Sequence, residues 1–254
     1  MTTYQDVVAA NLAALAFAFT EAAGNFAPYI GAGNLVVTPT VDYRQGGPTG
    51  ASSYGVNVRV GAKLTYTYAQ VFFPPATTEV WVKLSTVTPA ANLRLWSTGD
   101  DTANGVEFYV TPTSHLHLTG PGRYDVDTGI TWPDTNWHLL QFASSQGNTL
   151  QTIGFDGVVR YQSSPGTPNA PSPNTLTLGG SSGVVETTAT LFAWPAVYLY
   201  AMNPAQMASS FIAATNPTAA LSGTLSGGGV APGAVSDQLA TLLKYVSATY
   251  QNTP

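Results

Sequence analysis

At 254 residues and 44% hydrophobic content, the chain is long enough to bury a sizeable core, which excludes global disorder. Only 8% of residues are charged, the net charge is −5, and the Lys and Arg are scattered singly from Arg44 to Lys244. No basic stripe exists to neutralise phosphates, so no nucleic-acid partner is expected, and the lack of cysteine removes disulfides and thiolate metal sites.

Thr2 or Thr3 can cap a helix whose first turn carries Asp6, a favourable charge at the helix N-terminus. The Ala-rich sequence predicts that this helix runs to about Ala23, where Gly24-Asn25 stops it. Val7, Val8, Leu12, Leu15, Phe19 and Ala22 would share one face, with Phe17 elsewhere. A helix so apolar needs a partner surface, either its own domain or another subunit. No Lys or Arg precedes Arg44, so the basic start of a secretory signal is not expected. Asn11 and Glu21 interrupt the apolar run, which is short for the ~20 residues of a bilayer span, and no membrane insertion is expected.

From Phe26 to Asn57 the chain is rich in Gly and Pro, with short extended runs at Leu35–Thr38 and Val41–Tyr43. Alternation then strengthens at Leu64–Tyr68 and at Glu79–Leu84, where Val80, Val82 and Leu84 fall on one face and Trp81 on the other. Leu93–Trp96, Val106–Val110 and His115–Leu118 follow at even intervals, the rhythm of a sandwich or barrel.

The stretch from Trp137 to Tyr161 reads as strand, polar turn, strand, Asp156-Gly157 turn, strand. Asp-Gly is a favoured pair where both central residues of a hairpin need positive φ. Ser163 to Asn174 holds four prolines and reads as a loop. Leu176–Leu178 and Thr188–Tyr200 are extended. Asn203-Pro204-Ala205-Gln206 then places cap, N1 proline and N3 glutamine in order for a helix over about 204–214. Met207, Phe211 and Ile212 would be its buried stripe. After Pro217, Ser222–Gly233 reads as a flexible linker and Ser236 as the cap of an amphipathic helix with Leu239, Leu242, Leu243 and Val246 on one face.

The order of these signals resembles the concanavalin A-like, laminin G-like jelly-roll family. The matching pieces are Glu79-Val80-Trp81-Val82-Lys83, Trp137-His138, Asp156-Gly157 after Ile153-Gly154-Phe155, and Leu178-Gly179-Gly180. Phe192 followed by Val197-Tyr198-Leu199-Tyr200 and the Asn203–Gln206 helix start completes the series. The resemblance implies an all-β fold, two antiparallel sheets stacked as a jelly-roll sandwich, here with an N-terminal helix and a linked C-terminal helix. Members of the family bind glycans, proteins or calcium. The expected organisation is 1–24 as a docking helix, 25–216 as the jelly roll, and 217–254 as linker and C-terminal helix. The flanks and the Thr/Ala/Gly-heavy composition are similar to virion proteins of tailed phages, in which laminin G-like folds occur as minor tail, fibre and head-decoration proteins.

Glucanases share this jelly roll, and their chemistry needs two carboxylates facing one cleft. The nearest pattern here is Asp125-Val126-Asp127 without a neighbouring Glu, so catalysis is not expected. Calcium would suit loop oxygens, and two sets present them: Asp100, Asp101 and Asn104, and Asp125, Asp127 and Asp134. Ordinary turn chemistry explains the same residues and is the favoured reading. His115 and His117 share a strand face without a third ligand at close spacing, and His138 has no nucleophile motif beside it. Tyr43, Tyr54, Trp96, Tyr124 and Trp132 lie near predicted loops or strand ends and are the candidate ligand-binding aromatics, whereas Trp81, Trp137 and Trp194 fit a core. The expectation is a non-enzymatic structural or adhesion protein of a phage particle, homo-oligomeric, held to other virion proteins by its terminal helices and recognising host-surface glycan. A carbohydrate-binding module of a secreted bacterial protein is the alternative.

Overall fold

A computed structural model describes residues 4–11, 13–67, 76–98, 103–145, 150–168, 175–181, 183 and 185–215. In chain order the elements begin with α1 (Tyr4–Ala10), β1 (Leu15–Phe17), β2 (Pro28–Ile30), β3 (Val36–Thr38), β4 (Val41–Gly47), β5 (Gly50–Val58) and β6 (Lys63–Thr67). Next come β7 (Ala76–Leu84), β8 (Leu93–Thr98), β9 (Val106–Val110), β10 (His115–Gly120), β11 (Tyr124–Thr131) and β12 (His138–Ser144). The last are β13 (Gln151–Phe155), β14 (Val158–Ser163), β15 (Thr175–Leu178), β16 (Thr190–Tyr198) and α2 (Pro204–Thr215).

One antiparallel sheet runs β14-β13-β12-β7-β16-β1-β2, with the β4–β5 pair joined to it through β16. The other runs β11-β10-β9-β8-β15-β6-β3. Alternation along each strand sends one set of side chains between the sheets. Val80, Val82 and Leu84 of β7 and Leu140 and Phe142 of β12 share one buried cluster with Leu93 and Leu95 of β8, Phe108 of β9, and Leu116 and Leu118 of β10. The result is the expected two-sheet sandwich. At the β13–β14 turn both Asp156 (φ 53°) and Gly157 (φ 74°) are left-handed, as their pairing in sequence predicts.

The first sheet is also covered on its outer face. Trp81, Leu139, Ala143, Trp194 and Tyr198 form a second buried cluster there with Tyr4 and Val8 of α1 and Met207 and Ala214 of α2. This layer explains why β7, β12 and β13 are buried almost without alternation. A register shift between Ala193 and Ala196, with Trp194 at φ 49°, brings Trp194 into the outer cluster beside Ala193. Its ring then stacks under Tyr4 at 4.9 Å. α2 is held by the predicted reciprocal cap: Asn203 N donates to Gln206 Oε1 and Gln206 N to Asn203 Oδ1, each at 3.0 Å.

Two expectations are corrected. The N-terminal helix ends at Ala10, not near Ala23, and Leu15–Phe17 is a strand inside the first sheet. The reason lies in Leu15-Ala16-Phe17-Ala18-Phe19, which alternates with period two. Leu15, Phe17 and Phe19 enter the inter-sheet core while Ala16 joins the outer cluster. Tyr4 and Val8 of α1 are buried against its own domain, one of the two partner surfaces expected for this helix. In α2, Met207 is buried and Phe211 stacks on Trp81 at 5.8 Å, but Ile212 is exposed. The predicted linker and C-terminal helix lie outside the described residues. Among the described residues no helix is long and apolar enough to cross a membrane.

Candidate functional site

Among the described residues no such cluster covers the outer face of the second sheet, and there polar side chains gather. Strand register sets Arg94 opposite Tyr109, Tyr109 opposite His117, and His117 opposite Asp127. A neighbouring row runs Ser97, Glu107, Thr119, Asp125. Because alternate residues share a face, these two rows form one surface. Between β8, β9 and β10 the surface sinks into a cleft of about 250 Å³ lined by Asn92, Arg94, Glu107, Tyr109, Thr119 and the Pro121-Gly122 turn.

Arg94 organises the cleft floor. Its Nε lies 2.6 Å from Glu107 Oε1 as an ion pair, and a second guanidinium nitrogen lies 3.4 Å from Glu186 Oε1. Burial disfavours the guanidinium charge, but the two carboxylates outweigh it and raise the Arg94 pKa. Burial also raises the Glu186 carboxyl, against the pull of Arg94. The Tyr109 hydroxyl donates to Asp125 Oδ2 at 2.6 Å, and its ring stacks with His117 at 5.0 Å. His117 Nδ1 stands 3.0 Å from the Tyr109 oxygen and 3.1 Å from Asp125 Oδ1. With the phenol proton on the Asp125 bond, Nδ1–H is the donor to both. Burial, then the Asp125 bond, pushes the Tyr109 pKa above the usual phenol range. Farther along, His115 Nδ1 and Asp127 Oδ2 are 2.7 Å apart. That bond, with one from Gly129 N, lowers the Asp127 pKa.

A second polar knot lies in the first sheet. His138 Nδ1 meets Asp156 Oδ2 at 2.7 Å and Nε2 meets Asp134 Oδ1 at 3.0 Å, with Phe155 stacked on the ring. Burial opposes the imidazolium, but the two carboxylates prevail and its pKa is raised. Asp156 also accepts from Leu139 N, so the knot ties the Asp156-Gly157 turn to β12. His138 is therefore a buried strand residue hydrogen-bonded through both ring nitrogens.

The candidate aromatics do not converge. Trp96 is 3% exposed and packs with Phe108 and Phe142 between the sheets; Trp132 is 1% exposed and meets His138 and Phe155 edge-on. Neither lies open at a loop, because both rings fill the core. Tyr43 packs on Phe26 and donates to Gly24 O at 2.5 Å. Tyr54 lies under Arg44, and the Tyr124 hydroxyl bonds Gln151. Asp100 and Asp101 lie outside the described residues, which leaves Asn104 of that set. Asp125 and Asp127 belong to strand β11, not to a loop: Tyr124 and Val126 alternate with them and turn inward. Among the described residues no group of three or more His, Cys, Asp or Glu could hold a metal ion. The residues the sequence reading passed over are Arg94, Glu107, Tyr109, Thr119 and Asn92. The first three sit opposite core positions in strands read correctly, and that alternation was the available signal.

The sequence of residues 60–208 matches the family model of the concanavalin A-like lectin/glucanases superfamily. No curated protein matches the sequence. Among solved structures, the botulinum neurotoxin serotype D binding domain superposes with a TM-score of 0.59 at 8% identity, over 79% of this chain and 51% of that one. The same serotype's ligand-binding domain in complex with N-acetylneuraminic acid gives 0.61 at 9%, over 81% and 52%. A Trypanosoma rangeli sialidase gives 0.58 at 8%, over 80% and 33%. The chain thus spans about half the length of the toxin domains and a third of the sialidase. At such identities the likeness is one of fold. The family match over more than half of the sequence, carried by the two-sheet sandwich, establishes that the chain belongs to the concanavalin A-like lectin/glucanase superfamily.

Proposed function

We propose that this protein is a non-catalytic glycan-recognition protein, and that the cleft on the outer face of β8, β9 and β10 is its binding surface. The single observation that carries the reading is the cleft itself. It is a recess of about 250 Å³ in a lectin-type sandwich, floored by a fixed Arg94–Glu107 pair and edged by Tyr109 and Thr119. Planar charged groups and hydroxyls held in place by other bonds are suited to reading sugar hydroxyls, because little side-chain freedom remains to be lost on binding. What favours recognition over hydrolysis is that the carboxylates of this face are engaged. Glu107 pairs with Arg94, Asp125 with Tyr109 and His117, and Asp127 with His115 and Gly129.

In the fuller form of the proposal the protein is carried on a tailed-phage virion and recognises host-surface glycan. The charge-poor composition and the apolar pattern after Ser236 support that form. Since α1 is committed to its own domain, attachment and oligomerisation are assigned to residues 217–254. A secreted bacterial carbohydrate-binding module would use the same cleft and differ only in what residues 217–254 hold.

The test is a bacterial-surface glycan array probed with the full chain and with Tyr109→Phe and Thr119→Val variants. Binding by the wild type that falls in both variants, at unchanged melting temperature, is the expected result. Binding that neither variant affects would move the site off this face. Loss of particle incorporation on deleting residues 217–254 tests the virion assignment separately.

A further inference from the structure

We propose that the cleft selects glycans lacking carboxylate, sulfate or phosphate groups, an inference that rests on the cleft being the glycan site. Arg94 is the cation among the described residues lining the recess. It is already flanked by two carboxylates, Glu107 at 2.6 Å and Glu186 at 3.4 Å, and both are buried, at 4% and 7% exposure. An acidic sugar reaching this guanidinium would be its third anion. It would compete for Arg94 with two carboxylates that are themselves largely buried, and a buried carboxylate stripped of its cation is strongly disfavoured.

The surroundings point the same way. Past Tyr109 stand Asp125 and Asp127, with side chains 54% and 46% exposed. Their imidazole partners, His117 and His115, are directed at them. The further cation nearby, Arg123, lies in the turn beyond Pro121-Gly122 and has partners of its own. Apart from those two histidines, two cations, Arg94 and Arg123, stand with four carboxylates, Glu107, Glu186, Asp125 and Asp127. This excess of carboxylates over arginines disfavours a bound anion while leaving carboxylate lone pairs to accept from sugar hydroxyls. A neutral sugar finds acceptors at Glu107 and Asp125 and a hydroxyl at Thr119.

The test compares matched oligosaccharides on the full chain: one neutral core, and the same core carrying N-acetylneuraminic acid, a uronate or a sulfate. The wild type is expected to bind the neutral member at least about tenfold more tightly, since like-charge juxtaposition opposes the others. That ratio should shrink in 0.5 M salt. Glu107→Gln, which leaves Arg94 with one carboxylate, is expected to narrow the ratio, and the exposed Asp125→Asn gives the same readout should Glu107→Gln fold poorly. Equal or tighter wild-type binding of an acidic member would overturn the selectivity and leave the cleft standing as the site. A ratio unmoved in both variants would overturn its charge basis. Wild-type binding to no member would remove the cleft reading and the selectivity together.

Discussion

The Tyr4 hydroxyl donates to Glu79 Oε1 at 2.9 Å, joining the first helix to the central strand of the first sheet across 75 residues of sequence. Glu79 is fully buried, and Tyr198 donates to the same oxygen at 2.5 Å while Gln141 Nε2 donates to the other at 3.1 Å. Burial raises the Glu79 pKa from 4.5, and the bonds from Tyr198, Gln141 and Tyr4 only partly restrain it. The folded state therefore holds this proton more tightly than the unfolded chain. Its stabilising contribution is complete below pH 4.5 and declines as pH rises through the folded pKa. Glu79→Gln should flatten that decline in urea midpoints measured from acid to neutral pH. An unchanged slope would show that another group sets it.

Tyr4 should prove the main anchor of α1. Tyr4→Phe removes the bond to Glu79 but keeps the stack on Trp194, and should cost about 1–2 kcal/mol. Tyr4→Ala removes both and should cost about 3–5 kcal/mol. Amide exchange across 4–10 should rise in Tyr4→Ala well before that of β7. Uniform exchange rates in the two variants would argue against a separate docking step.

His138 gives a second pH signature in a different window. Its pKa is raised against burial by Asp156 and Asp134, so its contribution is present below the unfolded value of 6.5 and is lost as pH rises through the folded pKa. Stability should fall as pH rises above 6.5 and through the raised folded pKa, and His138→Gln should remove that fall. An NMR titration of the imidazole with a midpoint at or below 6.5 would contradict the geometry.

Gly157 and Gly24 separate backbone strain from packing. Both have positive φ, 74° and 80°, but a Cβ on Gly157 would lie 2.6 Å from Phe211 Cβ, whereas one on Gly24 meets nothing within 4 Å. Gly24→Ala should cost about 1 kcal/mol, from backbone strain alone. Gly157→Ala should cost about 2–4 kcal/mol, because α2 must shift. Equal melting temperatures in the two variants would mean that α2 yields freely.

Much of the sandwich was legible because its strands carry one-sided alternation: Val80, Val82 and Leu84 against Trp81 needed no tertiary information. The stretch 12–23 misled because its alanines favour a helix. The period-two alternation of Leu15, Phe17 and Phe19 and burial on both faces of the sheet override that preference. Asp125, Asp127 and Gly129 look like turn residues, yet on an edge strand facing solvent they are tolerated. Trp96 and Trp132 were placed by nearness to predicted loops, but ring burial depends on which sheet face they take. The cleft could not be read at all from local pattern. Arg94, Glu107, Tyr109 and Thr119 come from three strands, and only register places them side by side.

The central claim is that the recess between β8, β9 and β10 holds sugar. Titrating the isotope-labelled full chain with the tightest-binding neutral oligosaccharide and following amide and side-chain shifts tests it most directly. Saturable changes centred on Asn92, Arg94, Tyr109 and Thr119 are predicted. Changes centred instead on Tyr43 and Tyr54, with those four residues unmoved, would contradict it.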